Sequence, residues 1–388
     1  MSKPRKIKRT KNLYGKKRRV NKKVTNTILF ILLILVLIAM GFIVTQQFDS
    51  HFGKDKDGGK TSTTSEQSNQ SEEIPSSSES SQSSESQSES TQAPAESQKT
   101  YSKMLMPNEY IGKDFNIILN DAKAQGYNSV TLYLKTEDGK IHYNASSETV
   151  TAYNAVSEQV IDIAAAVQAG NNAGIKVNAA ISALKDSTAP HVRNENSYAF
   201  SNTLTTNWLD DSPNRGGKPW LNPYMDNTKT YISGICKELS DAGVKTIYLD
   251  NLIFPDKNTS QMNTIKTTPS RTEALQQVVK SCSDSVGENS NIIVLTTANE
   301  VLLNTAQAYP ASLESIEKGK VAIYLSADKL QNKQSQVAAA LGLAAEAGQK
   351  EIAAAIIKAT ENKDVVWIGS QSELDEYGVK DNSTCIVK

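Results

Sequence analysis

The sequence is poor in the residues that build metal and redox centres. Its 388 residues include three histidines and three cysteines, and aromatic residues make up 6% of the chain. So few histidines argue against a histidine-rich metal centre, and the cysteine spacings match no zinc site. Because Cys236, Cys282 and Cys385 are odd in number, we expect structural thiols or at most one disulfide, and we expect no metal and no cofactor.

An excess of charge of one sign is also missing. Lys and Arg together number 42, as do Asp and Glu, so the formal net charge is zero. This average hides a very basic start, an acidic serine-rich stretch and a nearly neutral remainder, so by itself it argues neither for nor against nucleic acid. The basic start leads directly into an apolar run, and we therefore expect a membrane as its partner and no nucleic acid.

The N-terminal region has the pattern of a signal anchor. Residues 1–26 form a basic segment, and Ile28 to Val44 is apolar apart from Gly41. With its flanking residues (27–46) this run reaches the length of about 20 residues that a transmembrane helix needs. Basic residues precede it and none follows closely, which predicts a cytoplasmic N-terminus and an extracellular C-terminal domain. A cleavable signal peptide is the alternative, but no A-x-A cleavage site follows Val44.

Residues 47–100 are dominated by Ser, Glu, Gln and Thr. Such a segment buries too little apolar surface to offset the entropy cost of ordering. We expect a disordered linker that holds the following domain away from the membrane.

From Tyr101 to the end of the chain, short apolar runs alternate with helical patterns. Strands are predicted over 101–106, 129–134, 175–181, 246–249, 292–296, 321–325, 365–368 and 383–387. Helices are predicted over 111–124, 156–174, 275–286, 312–317 and 337–347, and a further helix through residues 232–239 ends before Gly243, while 351–358 is ambiguous. Regular alternation over residues 101–388 predicts an α/β fold, a TIM-type (β/α)8 barrel. An open doubly wound sheet is the alternative, but no Gly-rich phosphate loop follows the first strand.

One acidic residue stands where barrel enzymes keep their chemistry. Asp250 follows the buried strand Thr246 to Leu249, after a helix that Gly243 closes. The loops at the carboxyl ends of the strands converge in such barrels, and they form the active site. Asp250 is therefore the first candidate for a catalytic residue.

Four sequence blocks carry a resemblance to a known family. They are VTLYLKTEDGKIHY (130–143), AGIKVNAAISALKD (173–186), WLNPYMDNTKTYISGICKEL (220–239) and GVKTIYLDNLIFPD (243–256). In this order they resemble a family of glycoside hydrolase-like domains of Gram-positive bacteria, similar to barrel-type glycosidases. The Asp and Phe-Pro of the family's motif are kept as Asp250, Phe254 and Pro255.

The resemblance implies a glycosidase site with two carboxyl groups. It implies that Asp250 is the nucleophile, and Glu300 is the best-placed candidate for the acid, ahead of Asp186, Asp210 and Asp211. Glu300 has a second interpretation, as an acid in the first turn of a helix. The predicted substrate-binding residues are Lys135, Lys185, Asp186, Trp220, Asn222, Tyr224 and Asn251.

The chain also departs from the family pattern at several charged positions. Tyr133, Ala180, Asn251, Ile253 and Asn299 stand where other residue types are usual. We expect a membrane-anchored, extracellular glycoside hydrolase that acts on a cell-wall or other polysaccharide. A catalytically degenerate barrel that binds carbohydrate is one alternative, and a scaffold of the envelope machinery is another.

Overall fold

The structure is a computed structural model that describes residues 99–388 except 202, 204, 264–267, 304–306, 327–328, 330–332 and 381–382. The predicted basic segment, the predicted transmembrane helix and all but the end of the predicted linker lie outside the described residues. Within the described part of the chain, no helix has the length and apolar character needed to cross a bilayer.

Eight parallel strands close into a barrel. The strands are β1 Thr100–Leu105, β2 Ser129–Lys135, β5 Lys176–Ser182, β6 Thr246–Asp250, β7 Asn291–Thr297, β8 Val321–Tyr324, β9 Val366–Gly369 and β10 Thr384–Val387. Each pairs with the next, and pairing of β1 with both β2 and β10 completes the ring. Two short strands, β3 Ile141–Tyr143 and β4 Val156–Ile161, extend the sheet beyond β2. The predicted barrel is confirmed.

Helices connect the strands and cover the outside of the barrel. They are α1 Pro107–Tyr110, α2 Phe115–Ala124, α3 Glu148–Thr151, α4 Ile163–Ala173, α5 Ala189–Val192, α6 Asp226–Asp241, α7 Arg271–Val286, α8 Ala298–Leu303, α9 Gln334–Ala340, α10 Gln349–Ala359 and α11 Gln371–Glu376. Short 3₁₀ turns span Asn194–Asn196, Pro213–Arg215 and Thr259–Gln261.

Side chains that alternate along the strands build two apolar layers. All seven residues of β2 are buried, as expected for a strand that packs on both faces. One set fills the barrel interior and includes Tyr133, Tyr248 and Tyr324. The other set packs between the strands and the outer helices, where Leu132 and Ile235 are fully buried.

Two helix ends follow the sequence prediction. Gly174 caps α4 with a left-handed φ of 69°, and Gly243 takes a φ of 97° directly after α6. A residue with a Cβ would be strained in this conformation, which is why glycine marks both ends.

Three sequence-based helix predictions were wrong in part. Val156 and Val160 lie in strand β4 rather than in the helix that their spacing predicted. Residues 312–317 form turns, because Leu313 and Ile316 reach the core without a complete helix. The helix predicted over 337–347 ends at Ala340.

Candidate active site

Asp250 is the last residue of β6 and lies at the carboxyl-end rim of the barrel. Its side chain is partly buried. The hydroxyl of Tyr133, from β2, donates to Oδ2 of Asp250 at 2.8 Å. The backbone N–H of Asn251 donates to Oδ1, also at 2.8 Å. Both carboxylate oxygens therefore have a defined partner.

Burial raises the pKa of Asp250 above its usual value, because the charged form loses hydration. The hydrogen bonds from Tyr133 and Asn251 act in the opposite direction, since they stabilise the ionised form. The positive charge of Lys388 also lowers the pKa, while the negative charge of Glu137 raises it. Asp250 is thus an acid whose proton affinity is increased by its surroundings.

Glu300 lies in the first turn of α8, directly after β7. Its Oε2 accepts a hydrogen bond from the backbone N–H of Thr297 at 2.7 Å and one from Oγ1 of Thr296 at 3.2 Å. The N–H of Glu300 donates to Oγ1 of Thr297 at 3.2 Å, so this pair forms the reciprocal cap of the helix start. The alternative interpretation of Glu300, as an acid in the first turn of a helix, therefore agrees with its hydrogen bonds to Thr297.

The two candidate carboxyl groups interact through their charges. Burial raises the pKa of Glu300, the hydrogen bond from Thr297 lowers it, and the negative charge of Asp250 raises it further. Because Asp250 and Glu300 follow adjacent strands, they share the same sector of the rim. A carboxyl group whose ionisation is disfavoured by a neighbouring carboxylate can keep its proton and serve as an acid.

Lys135 and Asp186 form a buried ion pair below this rim. Nζ of Lys135 is 2.8 Å from Oδ2 of Asp186, and both side chains are 0% exposed. Asp186 Oδ1 accepts backbone hydrogen bonds from Thr188 and Ala189 at 2.8 and 2.9 Å. Since neither side chain reaches solvent, we assign this pair to support of the rim rather than to direct contact with a ligand.

The approach of Asp186 also explains the glycine at position 139 in the first sequence block. A Cβ at residue 139 would stand 2.0 Å from Oδ1 of Asp186, and Gly139 has a φ of 86°. Both the space and the backbone conformation therefore require glycine at this position. Lys135, Gly139 and Asp186, from two separate sequence blocks, form one structural unit.

Lys185 and Trp220 meet at the same rim as Asp250. The N–H of Leu221 donates to the carbonyl of Leu184 at 2.9 Å, and the N–H of Ala183 donates to the carbonyl of Asp250 at 2.7 Å. Nζ of Lys185 lies 5.9 Å from the centre of the Trp220 ring. These two side chains are partly exposed, so they are open to a ligand.

Nζ of Lys185 also pairs with Oε2 of Glu137 at 2.5 Å. Nε1 of Trp220 donates to Oδ2 of Asp210 at 3.0 Å, so Asp210 orients the indole ring. Asp211 pairs with the neighbouring Arg215 at the protein surface. Asp210 and Asp211, the alternative candidates for the acid in this loop, thus each bind another side chain.

Asn222 and Tyr224 serve mainly to shape their loop. Oδ1 of Asn222 accepts the N–H of Tyr224 at 3.1 Å, and the N–H of Asn222 donates to the carbonyl of Asn196 at 2.8 Å. The ring of Tyr224 packs 5.7 Å from that of Phe254 and is 9% exposed. Asn222 remains partly exposed, whereas most of Tyr224 belongs to the local core.

Some residues at the mouth escaped the sequence analysis. In the sequence, Tyr133 was noted only as a departure from the family pattern, yet its hydroxyl donates a hydrogen bond to Asp250. Tyr324 ends β8, and Nζ of Lys388 and Nζ of Lys329 lie 4.4 and 5.0 Å from its ring centre. Their positions depend on strands that are far apart in sequence, so no local signal could have identified them.

No cluster of three or more His, Cys, Asp or Glu side chains with metal-binding geometry occurs among the described residues. The three cysteines are buried free thiols.

Residues 107–298 match the family model described as "Putative glycosyl hydrolase domain". All four sequence blocks that carried the resemblance lie within this range, and the recognition from sequence is confirmed. No curated protein matches the chain.

Three solved structures show the range of similar chains. A hypothetical protein from Ruminiclostridium thermocellum is 18% identical with a TM-score of 0.44, over 49% of this chain and 95% of that one. The PgaB (BpsB) glycoside hydrolase domain from Bordetella bronchiseptica is 11% identical with a TM-score of 0.47, over 75% and 94%. A family 20 exo-β-N-acetylglucosaminidase from Vibrio harveyi is 11% identical with a TM-score of 0.42, over 71% and 42%.

Proposed function

We propose, on the premise that residues 107–298 belong to the glycosyl hydrolase-like domain family, that this protein is a glycoside hydrolase of a polysaccharide. The mouth of the barrel is the proposed active site. The observation that carries the proposal is the pair Asp250 and Glu300, which follow adjacent strands and whose charges interact. Hydrolysis of a glycosidic bond generally needs two such carboxyl groups, one on each side of the bond.

The surroundings suggest how the two acids divide the work. Burial raises the pKa of Asp250, but the hydrogen bonds from Tyr133 and Asn251 and the positive charge of Lys388 favour its ionised form. Burial raises the pKa of Glu300 and the negative charge of Asp250 adds to this effect, while the hydrogen bond from Thr297 opposes it. In the proposed reaction Glu300 donates its proton to the leaving glycosidic oxygen, and Asp250 acts as the nucleophile at the anomeric carbon.

The half-exposed Trp220 and Lys185 are the proposed glycan contacts. Sugar rings present flat faces of C–H groups, and these pack well on an exposed aromatic ring. Lys185 adds hydrogen-bond donors for hydroxyl oxygens beside that ring. Asn222, which is also partly exposed, is proposed to contribute a polar contact at the same rim.

We further propose that the substrate is a cell-wall polysaccharide outside the membrane. This part rests on the apolar run from Ile28 to Val44, the basic residues before it and the serine-rich segment after it. Fusion of a reporter after residue 388 tests it: the proposal expects activity of a reporter that works only outside the membrane. Activity of a cytoplasmic reporter instead would contradict the location.

Release of reducing ends from purified cell-wall polysaccharides by the full chain tests the enzymatic proposal. We expect Asp250→Asn to lower kcat/KM by about 10⁴ to 10⁶-fold, on the scale of removing a catalytic residue in other enzymes. Glu300→Gln should lower it by about 10² to 10⁴-fold, because it removes the acid. Asp284→Asn is the matched control, since this acid lies on the outer helix α7 and pairs with Lys280.

The dependence of kcat/KM on pH provides a second test. Asp250 must be ionised, and its raised pKa moves the acidic limb of the profile above the usual range of an aspartate. Glu300 must hold its proton, and its raised pKa moves the alkaline limb above the usual range of a glutamate. We expect a bell-shaped profile in the wild type and loss of the alkaline limb in Glu300→Gln.

A carbohydrate-binding module without turnover is the second candidate. It is favoured by the cap at the start of α8, where Oε2 of Glu300 is already used by the N–H of Thr297. In that case the wild type would bind polysaccharide and release no sugar, and Trp220→Ala would weaken binding. Absence of both turnover and binding would contradict both candidates and favour a scaffold role.

A further inference from the structure

The backbone beside Asp250 is held by hydrogen bonds that the proposed reaction does not use. Asn251 has a left-handed backbone with a φ of 53°. Its Nδ2 donates to Oγ of Ser182, at the end of β5, at 3.1 Å. Oγ of Ser182 donates in turn to the carbonyl oxygen of Lys185 at 2.7 Å. The Ser182 hydroxyl is fully buried and uses its proton and a lone pair in these two contacts.

Backbone hydrogen bonds run beside this side-chain link. The N–H of Ala183 donates to the carbonyl of Asp250 at 2.7 Å, and the N–H of Leu184 donates to that of Asn251 at 3.4 Å. The N–H of Asn251 points to Oδ1 of Asp250 at 2.8 Å. That N–H lies in the same peptide plane as the carbonyl of Asp250, so the hydrogen bond from Ala183 to this carbonyl also fixes the direction of the N–H. A left-handed asparagine costs free energy and persists only when its surroundings fix it.

The buried ion pair anchors Ser182 from the other side. Nζ of Lys135 donates to the carbonyl oxygen of Ser182 at 2.6 Å while it pairs with Asp186. The ammonium group thus ties the end of β2 to the end of β5. Through Ser182 this anchor reaches Asn251 and the end of β6.

We infer that Ser182 and Asn251 are positioning residues, held by the Lys135–Asp186 pair, that orient the carboxylate of Asp250 toward the substrate. This inference rests on the proposed function and gives Asn251 a role other than contact with the sugar. The carboxylate is held at Oδ1 by Asn251 and at Oδ2 by Tyr133, so its plane is fixed by two strands. A small rotation of Asn251 would release one of these contacts.

Kinetics of Asn251→Gly, Ser182→Ala and the double variant test the inference. Glycine tolerates the left-handed φ, so Asn251→Gly removes the side-chain link without backbone strain. We expect each single variant to lower kcat by about 10 to 10²-fold with KM nearly unchanged, as for a misplaced catalytic group. The double variant should be no worse than the poorer single variant, because both break the same hydrogen bond.

Asn258→Gly is the matched control. Asn258 also has a φ of 53°, and its Nδ2 donates to the carbonyl of Leu209 at 2.9 Å, in the loop after β6. The same substitution there should leave kcat and the pH profile unchanged. An equal loss of kcat in this control, or additive losses in the double variant, would overturn the inference.

Titration of the Asp250 carboxyl carbon by ¹³C NMR gives a readout that does not depend on turnover. The Asn251 N–H lowers the pKa of Asp250, so its displacement in Asn251→Gly or Ser182→Ala should raise that pKa further. An unchanged pKa in both variants would overturn the positioning role. A wild type without turnover would overturn the proposed function, which separates the two failures.

Discussion

Two sectors of the barrel rim are built differently. The strands β2, β5, β6 and β7 lie within the family match at 107–298, and their ends carry side chains fixed by buried hydrogen bonds and an ion pair. The strands β8, β9 and β10 follow that range. Their part of the mouth offers the Tyr324 ring with the ammonium groups of Lys329 and Lys388 beside it.

The two sectors differ in how firmly their side chains are held in place. In the first sector, Lys135 and Asp186 have no exposed surface, and the backbone around Asp250 is cross-linked to β5. In the second, Lys388 is exposed and the contact is a cation above a ring, which tolerates motion. The first sector suits a catalytic carboxylate, while the second modulates charge at the mouth. The following variants, from the largest effect to the smallest, test this contrast.

Removal of the buried cation should cause the largest loss of stability. Lys135→Met leaves the buried carboxylate of Asp186 without its partner, which costs about 3–5 kcal/mol of unfolding free energy. The control is Lys380→Met, in the segment before β10, whose pair with Glu361 is exposed and should contribute little to stability. Urea denaturation measures both. Equal losses would mean that the buried pair supports the fold no more than an exposed one.

Two glycine substitutions separate backbone strain from crowding. Gly378→Ala meets no atom within 4 Å, and at a φ of 73° it should cost only the strain of about 1–2 kcal/mol. Gly139→Ala has a similar φ of 86° and also places its Cβ 2.0 Å from Oδ1 of Asp186. We therefore expect a clearly larger loss at Gly139, measured by the same denaturation. A similar cost at both sites would contradict the close packing around Asp186.

Lys388→Met should have the smallest effect. An exposed cation above an aromatic ring contributes about 0.5–1 kcal/mol, so the unfolding free energy should change little. The positive charge of Lys388 lowers the pKa of Asp250, and its loss should shift the acidic limb of kcat/KM upward in pH. A shift that persists at high salt is expected only if the charge acts through the protein interior. A downward shift would contradict the placement of Lys388 near Asp250.

The sequence was most informative where strands are buried on both faces. The strands that end at Lys135, Ser182 and Asp250 were located to within one or two residues, because continuous apolar runs have few other interpretations. Strand β4 was missed because Val156, Val160 and Ile163 recur at helical spacing. That strand is half-exposed and pairs only with the short β3, so its pattern carries little information.

The candidate site was predictable only in its outline. The position of Asp250 at a strand end could be read locally, whereas its contact with Tyr133 joins residues 117 apart in sequence. The sequence analysis predicted Lys135 and Asp186 as substrate-binding residues, whereas the structure joins them in a buried ion pair. These residues come from two separate sequence blocks, which the pairing of β2 with β5 brings together. Long-range pairing, rather than residue type, determines these roles.

The pairing of β1 with β10 has a consequence for how the domain is made. Thr100 lies beside Thr384, so the ring is joined by residues from opposite ends of the described chain. A nascent polypeptide has no partner for this side of β1 until almost the whole domain has been synthesised. Loop closure over such a distance slows folding, and until then the open edge can pair with other chains. Closure of this barrel is therefore a late event in the synthesis of each molecule.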